Sequence, residues 1–192
     1  GISQLFDVRV VAGSSDPDLD LESILGQPAA LRLATGQAAL PYAVWSGICA
    51  DIDQIGVEED GLSIYALSIV PMLWRALQRT NRRIFQDVTG VDAACRLLDE
   101  WEIERALRLE ATNLARHEYR VQHGESDYAF VARMLEEAGV SYLFEQIDPK
   151  GGEKDQDPLP AMRLVLADSP HLSGQQRGEP LPYIGNTEDI PN

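Results

Sequence analysis

Residues 118–146 read EYRVQHGESDYAFVARMLEEAGVSYLFEQ, and this stretch constrains the chain more than any other. Positions 119–123 alternate in type, as a half-buried strand requires, and Gly124 interrupts the run. Ser126 is placed to accept a hydrogen bond from a free N–H of the following turn, and Asp127 puts a negative charge at the positive end of a helix dipole. Phe130, Val131, Met134, Leu135 and Ala138 then recur with helical spacing, while Arg133, Glu136 and Glu137 fall on the opposite, exposed side. Gly139 closes the helix, and Val140, Tyr142 and Phe144 alternate with Ser141, Leu143 and Glu145 in a second strand. Phe130 and Leu135 are expected to be buried against that strand. The unit is a strand, a capped helix and a strand, with no reactive group.

Upstream the period is two. Phe6, Val8 and Val10 alternate with Asp7 and Arg9 in a first strand. Asp16, Asp18, Asp20 and Glu22 crowd the next stretch but lack the glycine and distal glutamate of a calcium loop. They read instead as the start of a short helix carrying Leu21, Ile24 and Leu25 and ended by Gly26 and Pro28. Ala29, Leu31 and Leu33 make a second strand, and residues 42–55 a long third one in which Ile48, Ala50 and Ile52 share a face. Glu59, Asp60 and Gly61 turn the chain so that residues 62–70 return as its antiparallel partner, which gives a barrel-like arrangement.

After Trp74 the period lengthens to about four, as expected where sheet gives way to helix. Thr89 and Asp92 form a capping box for a helix whose buried face carries Val91, Ala94, Cys95 and Leu98. Residues 107–112 and 119–123 are expected to be strands flanking a turn, and residues 162–167 a final strand. Residues 148–160, rich in glycine, proline and charge, read as a mobile loop, and residues 171–192 as an irregular tail. The fold class expected is β-rich α+β: an antiparallel barrel-like domain over 1–74, then a small α/β domain with two amphipathic helices over 75–170.

The net charge of −15 argues against nucleic acid and against an anionic membrane surface, both of which need a basic face. The charge is uneven, with 2 basic and 10 acidic side chains in residues 1–74 but 9 and 8 in residues 75–120. Arg75, Arg79, Arg82 and Arg83 in that middle part read as a solvated face or a set of salt bridges. No apolar run approaches the ~20 residues that span a bilayer, and no signal segment opens the sequence. Cys49 and Cys95 form no CxxC pair and no disulfide framework, which fits a reducing cytoplasm.

His117 and His123 would share a strand face with Tyr119 and Val121, but no third metal ligand lies near them, so they read as ordinary strand residues. Cys49, in an apolar strand, reads as a small hydrophobe, and Trp45, Trp74 and Trp101 as core or interface. No nucleophile elbow, P-loop, Rossmann glycine motif or HExxH is present. No catalytic, cofactor-binding or metal-ligating residue is assigned, and no enzyme is expected.

The pattern of Tyr119, Val121, Gln122, Glu125, Ser126, Asp127, Phe130, Arg133, Leu135, Glu136, Glu137, Gly139, Tyr142, Phe144 and Glu145 resembles the VgrG proteins of type VI secretion, of the Rhs element Vgr family. These are related to the hub proteins of contractile phage tails. Ile84–Asp87 (IFQD) is similar to the segment that precedes the first helix of those proteins. Asp16–Leu19, Gly26–Pro28, Gly47, Ile48, Pro71–Trp74 and the strand end at Asp168 look like further matches, so the resemblance extends over residues 1–168. It implies a structural role: a homotrimeric, pseudo-sixfold ring that caps the Hcp tube and carries a needle and secreted effectors. It also implies a protein that is cytoplasmic in the producing cell and leaves through the type VI machine without a signal peptide. The needle and most of a second barrel have no counterpart in these 192 residues, and residues 171–192 would lead into that missing barrel. A baseplate hub of a contractile phage, or an enzyme of unknown type, are the rival readings.

Overall fold

The computed structural model describes residues 2–37, 40–59, 61–111, 114–147 and 161–169. Its fold is β-rich α+β, with an antiparallel half-barrel sheet followed by a ribbon, two helices and a third sheet. The half-barrel holds β1 (Val8–Ser14), β2 (Pro28–Gln37), β3 (Leu40–Val57) and β4 (Ser63–Val70) in the order β1-β4-β3-β2. Between β1 and β2 lies the single turn α1 (Leu21–Ile24), where the Asp20 carboxylate accepts from the Ser23 N–H at 3.2 Å. Two of the acids in that run are thus used in capping and in starting a helix, as their order suggests.

The long strand departs from the expected pattern at Ala50. Cys49 pairs with Ile69 and Asp51 with Ser68, so Ala50 is an extra, bulged residue. A bulge reverses the alternation beyond it. Ile52 therefore shares the face of Cys49, and Ile48, Ala50 and Ile52 do not line one face. Gly47 is required for another reason: a Cβ there would lie 1.8 Å from the Val70 carbonyl oxygen, so no side chain fits.

The change of period after Trp74 does not mark a change to helix alone. A 3-10 turn over Met72–Leu77 buries Leu73 and Ala76, and the chain then enters β5 (Thr80–Thr89), which pairs antiparallel with β7 (Arg116–Ser126). The cause of the irregular period is Asp87, whose φ is +50. This left-handed residue in mid-strand lets Phe85 and Val88, three apart, both face inward. Asp87→Gly should leave stability within about 0.5 kcal/mol of wild type, because glycine adopts this conformation freely and the aspartate side chain is exposed. Asp87→Val should cost about 1–2 kcal/mol in denaturant unfolding, because a β-branched side chain tolerates this left-handed region far less well than aspartate does.

Gly124 also acts differently from expectation. It does not end the strand; it is the bulged residue between the pairs Arg82–His123 and Asn81–Glu125, with φ +68. A left-handed glycine at a bulge kinks the strand and aims its end into α3 (Asp127–Glu137), whose cap Ser126 accepts from the Ala129 N–H at 3.1 Å.

Helix α2 (Gly90–Glu100) has the expected capping box of Thr89 and Asp92. Its buried face is wider than the heptad positions imply and includes Ala93 and Leu97, while Cys95 is only partly buried. The two helices pack together so closely that a Cβ on Gly90 would stand 2.5 Å from the Met134 carbonyl oxygen. Phe130 is fully buried in the apolar cluster that also holds Val140 and Tyr142. It stacks on Phe85 of β5, with ring centroids 5.1 Å apart. Leu135 meets the expectation too, lining one hollow together with Val140 and Tyr142.

The third sheet orders β6 (Arg105–Arg108), β9 (Ala161–Ala167) and β8 (Ser141–Ile147) as β6-β9-β8, and its β6–β9 pair is parallel. The strand expected over 107–112 is thus shorter, begins earlier and pairs with β9 rather than with β7 across a turn. Its Thr112, together with the expected loop 148–160 and tail 171–192, lies outside the described residues. One apolar cluster joins Leu73, Phe85, Leu98, Phe130, Tyr142 and Leu166, drawing on the 3-10 turn, the ribbon, both helices and the third sheet.

Candidate functional site

The most elaborate polar arrangement is centred on Asp127, which is 0% exposed at the first turn of α3. Its Oδ2 accepts from Arg79 Nε at 2.5 Å and Trp101 Nε1 at 3.0 Å, and its Oδ1 from Gln122 Nε2 at 2.8 Å and Asn81 Nδ2 at 3.2 Å. Burial alone would push its carboxyl up. Those four donors, Gln122 first, outweigh burial and hold it below the usual aspartate range. Arg79 also pairs with Glu100 at 2.6 Å, Arg83 with the other Glu100 oxygen at 2.6 Å, and the Arg79 guanidinium lies over Trp101 at 4.7 Å. The knot ties the ribbon to the start of α3 and the end of α2. Two of the four clustered arginines are therefore in salt bridges, in keeping with the sequence. A carboxylate with both oxygens engaged is a poor base or metal ligand, so this geometry is structural.

A second knot involves Arg120, on the inward face of β7 and 7% exposed. Its Nε donates to the Val88 carbonyl at 3.3 Å and its Nη1 to Glu137 at 2.8 Å. Glu137 also pairs with Arg133 at 3.2 Å, one helical turn away. Glu137 is therefore not an idle exposed residue. Glu137→Ala should cost about 1.5–3 kcal/mol by denaturant unfolding, because it removes the carboxylate that serves a buried guanidinium. Glu136→Ala should stay within about 0.5 kcal/mol.

The opposite face of the ribbon is apolar and open. Ile84 is 64% exposed, Tyr119 54% and Val121 45%. The register sets them in consecutive outward pairs, Ile84 with Val121 and Gln86 with Tyr119, next to the exposed pair Arg82 and His123. His117, at the end of the same strand, is exposed as well. The two histidines are surface residues of one ribbon, and among the described residues no group of three potential metal ligands stands together. Cys49 is buried against a strand neighbour, and burial, its main influence, pushes the thiol up, which makes it a poor nucleophile. Trp101 serves the Asp127 knot, while Trp45 and Trp74 are half-buried.

Asp168 closes the third sheet, its Oδ2 accepting from the backbone N–H groups of Glu110 at 2.8 Å and Ala111 at 2.7 Å. Arg108 forks onto Glu145 across the same sheet. These contacts again bind strands to one another.

Charges are thus spent on internal knots, while apolar side chains are turned outward on one ribbon. The chain belongs to the phage tail baseplate hub (GPD) family, whose model matches residues 1–191. Within it the similarity runs to type VI secretion spikes. The chain is 32% identical over 146 residues to the type VI secretion system spike protein VgrG4b of Pseudomonas aeruginosa, which covers 75% of this chain and 17% of that protein. It is 29% identical over 146 residues to VgrG1c of the same organism, 74% of this chain and 19% of that one. The chain thus spans about a fifth of the length of these curated relatives. Its fold is that of an E. coli type VI secretion component, the c3393 protein, described as structurally similar to the T4 bacteriophage tail proteins gp27 and gp5. The TM-score is 0.72 at 22% identity, over 87% of this chain and 43% of the other.

Proposed function

We propose that this chain is the N-terminal hub part of a type VI secretion spike, which works as a homotrimer, caps the tube formed by Hcp protein, and carries a needle and effectors. The hub-family match over nearly the whole chain, joined to its likeness to spike proteins, carries this reading. The role is mechanical, and no residue is catalytic. The fully engaged Asp127 and Arg120 knots support that, since they stiffen the junction of ribbon and helices without leaving a free acid or base. The half-barrel over residues 1–74 and the part over 75–170 act as two units of the hub. The protein is cytoplasmic in the cell that makes it and leaves with the secretion machine. Among the described residues no helix is long and apolar enough to cross a membrane.

Co-sedimentation of the longer protein with assembled Hcp tubes tests the reading, and binding at tube ends is the result expected. A phage baseplate hub is the second reading, favoured by the family's own description. Such a protein would bind its phage tube and not Hcp. An enzyme would show turnover on a hydrolase panel that is lost on substituting His117 or His123.

A further inference from the structure

We propose that the outward face of the β5–β7 ribbon docks onto the outer, acidic face of the half-barrel sheet of a second copy of this chain, head to tail. The inference rests on the hub reading, in that it names which surfaces of the hub meet. The ribbon's three consecutive outward pairs, Arg82 with His123, Ile84 with Val121 and Gln86 with Tyr119, contain no acid. Arg82 and His123 are exposed and form no ion pair among the described residues. On a chain of net charge −15 this is an unusual patch, apolar at its centre and cationic at one end.

The complementary patch lies on the half-barrel. Val11 pairs with Ala66 and Ala66 with Asp53, while Ser68 lies between Arg9 and Asp51. Directly opposed residues point to the same side of a sheet, so Val11, Asp51 and Asp53 share one face, on which Arg9 is the only cation in those rows. Val11 is 62% exposed, and Asp51 and Asp53 are exposed without an ion pair among the described residues. Residues 1–74 carry 10 acidic and 2 basic side chains, so the field around this patch is negative. An apolar centre with cations meets an apolar centre with carboxylates, which is the arrangement that sets register and partner choice between surfaces. Because the two patches are different surfaces, the contact is heterologous and each copy offers one of each, as a ring requires.

Sedimentation velocity of the chain at rising concentration tests this with three samples: wild type, a ribbon variant (Arg82→Glu with Val121→Asp) and a sheet variant (Asp51→Lys with Asp53→Lys). All the altered side chains are exposed or half-exposed, and thermal unfolding confirms that the variants fold. Wild type should associate, more weakly at high salt, and either variant alone should associate at least tenfold more weakly. Mixed together, the two variants should associate again, since the intact ribbon of one meets the intact sheet of the other and the reversed charges on the altered ribbon and altered sheet are again opposite in sign. Wild type that stays monomeric, or variants that associate as wild type does, would overturn the proposal. The hub reading is judged separately on the longer protein carrying the same changes. A trimer that ignores them leaves the hub reading standing and removes this surface, whereas a longer protein that never assembles removes both.

Discussion

Asp127→Ala should lower the unfolding free energy by about 3–5 kcal/mol, the range found when one partner of a buried charge pair is removed. The size follows from what is left behind. Arg79 would keep Glu100, but Trp101 Nε1, Asn81 Nδ2 and Gln122 Nε2 would lose the acceptor that their positions were built around. An unsatisfied buried donor costs about 1–3 kcal/mol. Asp127→Asn, nearly the same shape, should be almost as damaging, because a neutral amide accepts through one atom and brings two further N–H donors into a ring of donors. The same site fixes a pH dependence. The carboxyl lies below its ordinary value in the folded chain, so the unfolded chain takes up a proton first, at about pH 3.9. Its contribution is fully present above that pH and is lost as pH falls further, through the folded value. Wild type should thus lose stability below about pH 4 more steeply than Asp127→Asn. Parallel acid titrations of the two would show no difference if the carboxylate were not held in its ionised form.

Leu135→Ala should cost about 2–5 kcal/mol, since it removes a side chain that is 1% exposed and leaves a void in the main apolar cluster. Glu136, the next residue, is the matched control because it faces solvent. Denaturant unfolding should therefore separate two neighbouring positions by at least about 1.5 kcal/mol. Equal losses would mean that α3 is rotated relative to its neighbours.

The sequence states the helices clearly because their signals are local. A cap at Ser126 or Thr89 and a repeat of apolar positions lie within one segment, and both helices start where those residues say. The β2–β3–β4 part of the half-barrel is legible for the same reason, its strands being joined by short turns, whereas β1 reaches β4 only across the chain. What is not legible depends on single residues that change the facing of a strand. Ala50 bulges, Gly124 bulges and Asp87 turns left-handed, and each shifts the side on which every later residue falls. The parallel β6–β9 pair joins segments far apart in the chain and leaves no short-range trace.

The ribbon is the most instructive departure. Alternation in residues 119–123 correctly indicates a strand, and ordinary burial preferences would place Tyr119 and Val121 inside. The structure instead buries Arg120 and Gln122 and exposes the two apolar residues. Inside, Arg120 bonds to Glu137 and the Val88 carbonyl and Gln122 Nε2 to Asp127, partners that only the tertiary fold supplies, while Gln122 Oε1 finds no partner among the described residues. Asp127 shows the same limit: its place at a helix start is visible in sequence, but its four donors come from three other elements.

The central claim is that this chain is a hub part of a trimeric spike, and the most direct measurement is the mass in solution of the full-length protein that carries it, by sedimentation equilibrium. A single species of three times the chain mass, stable on dilution, is the result predicted. A monomer at every concentration would contradict it.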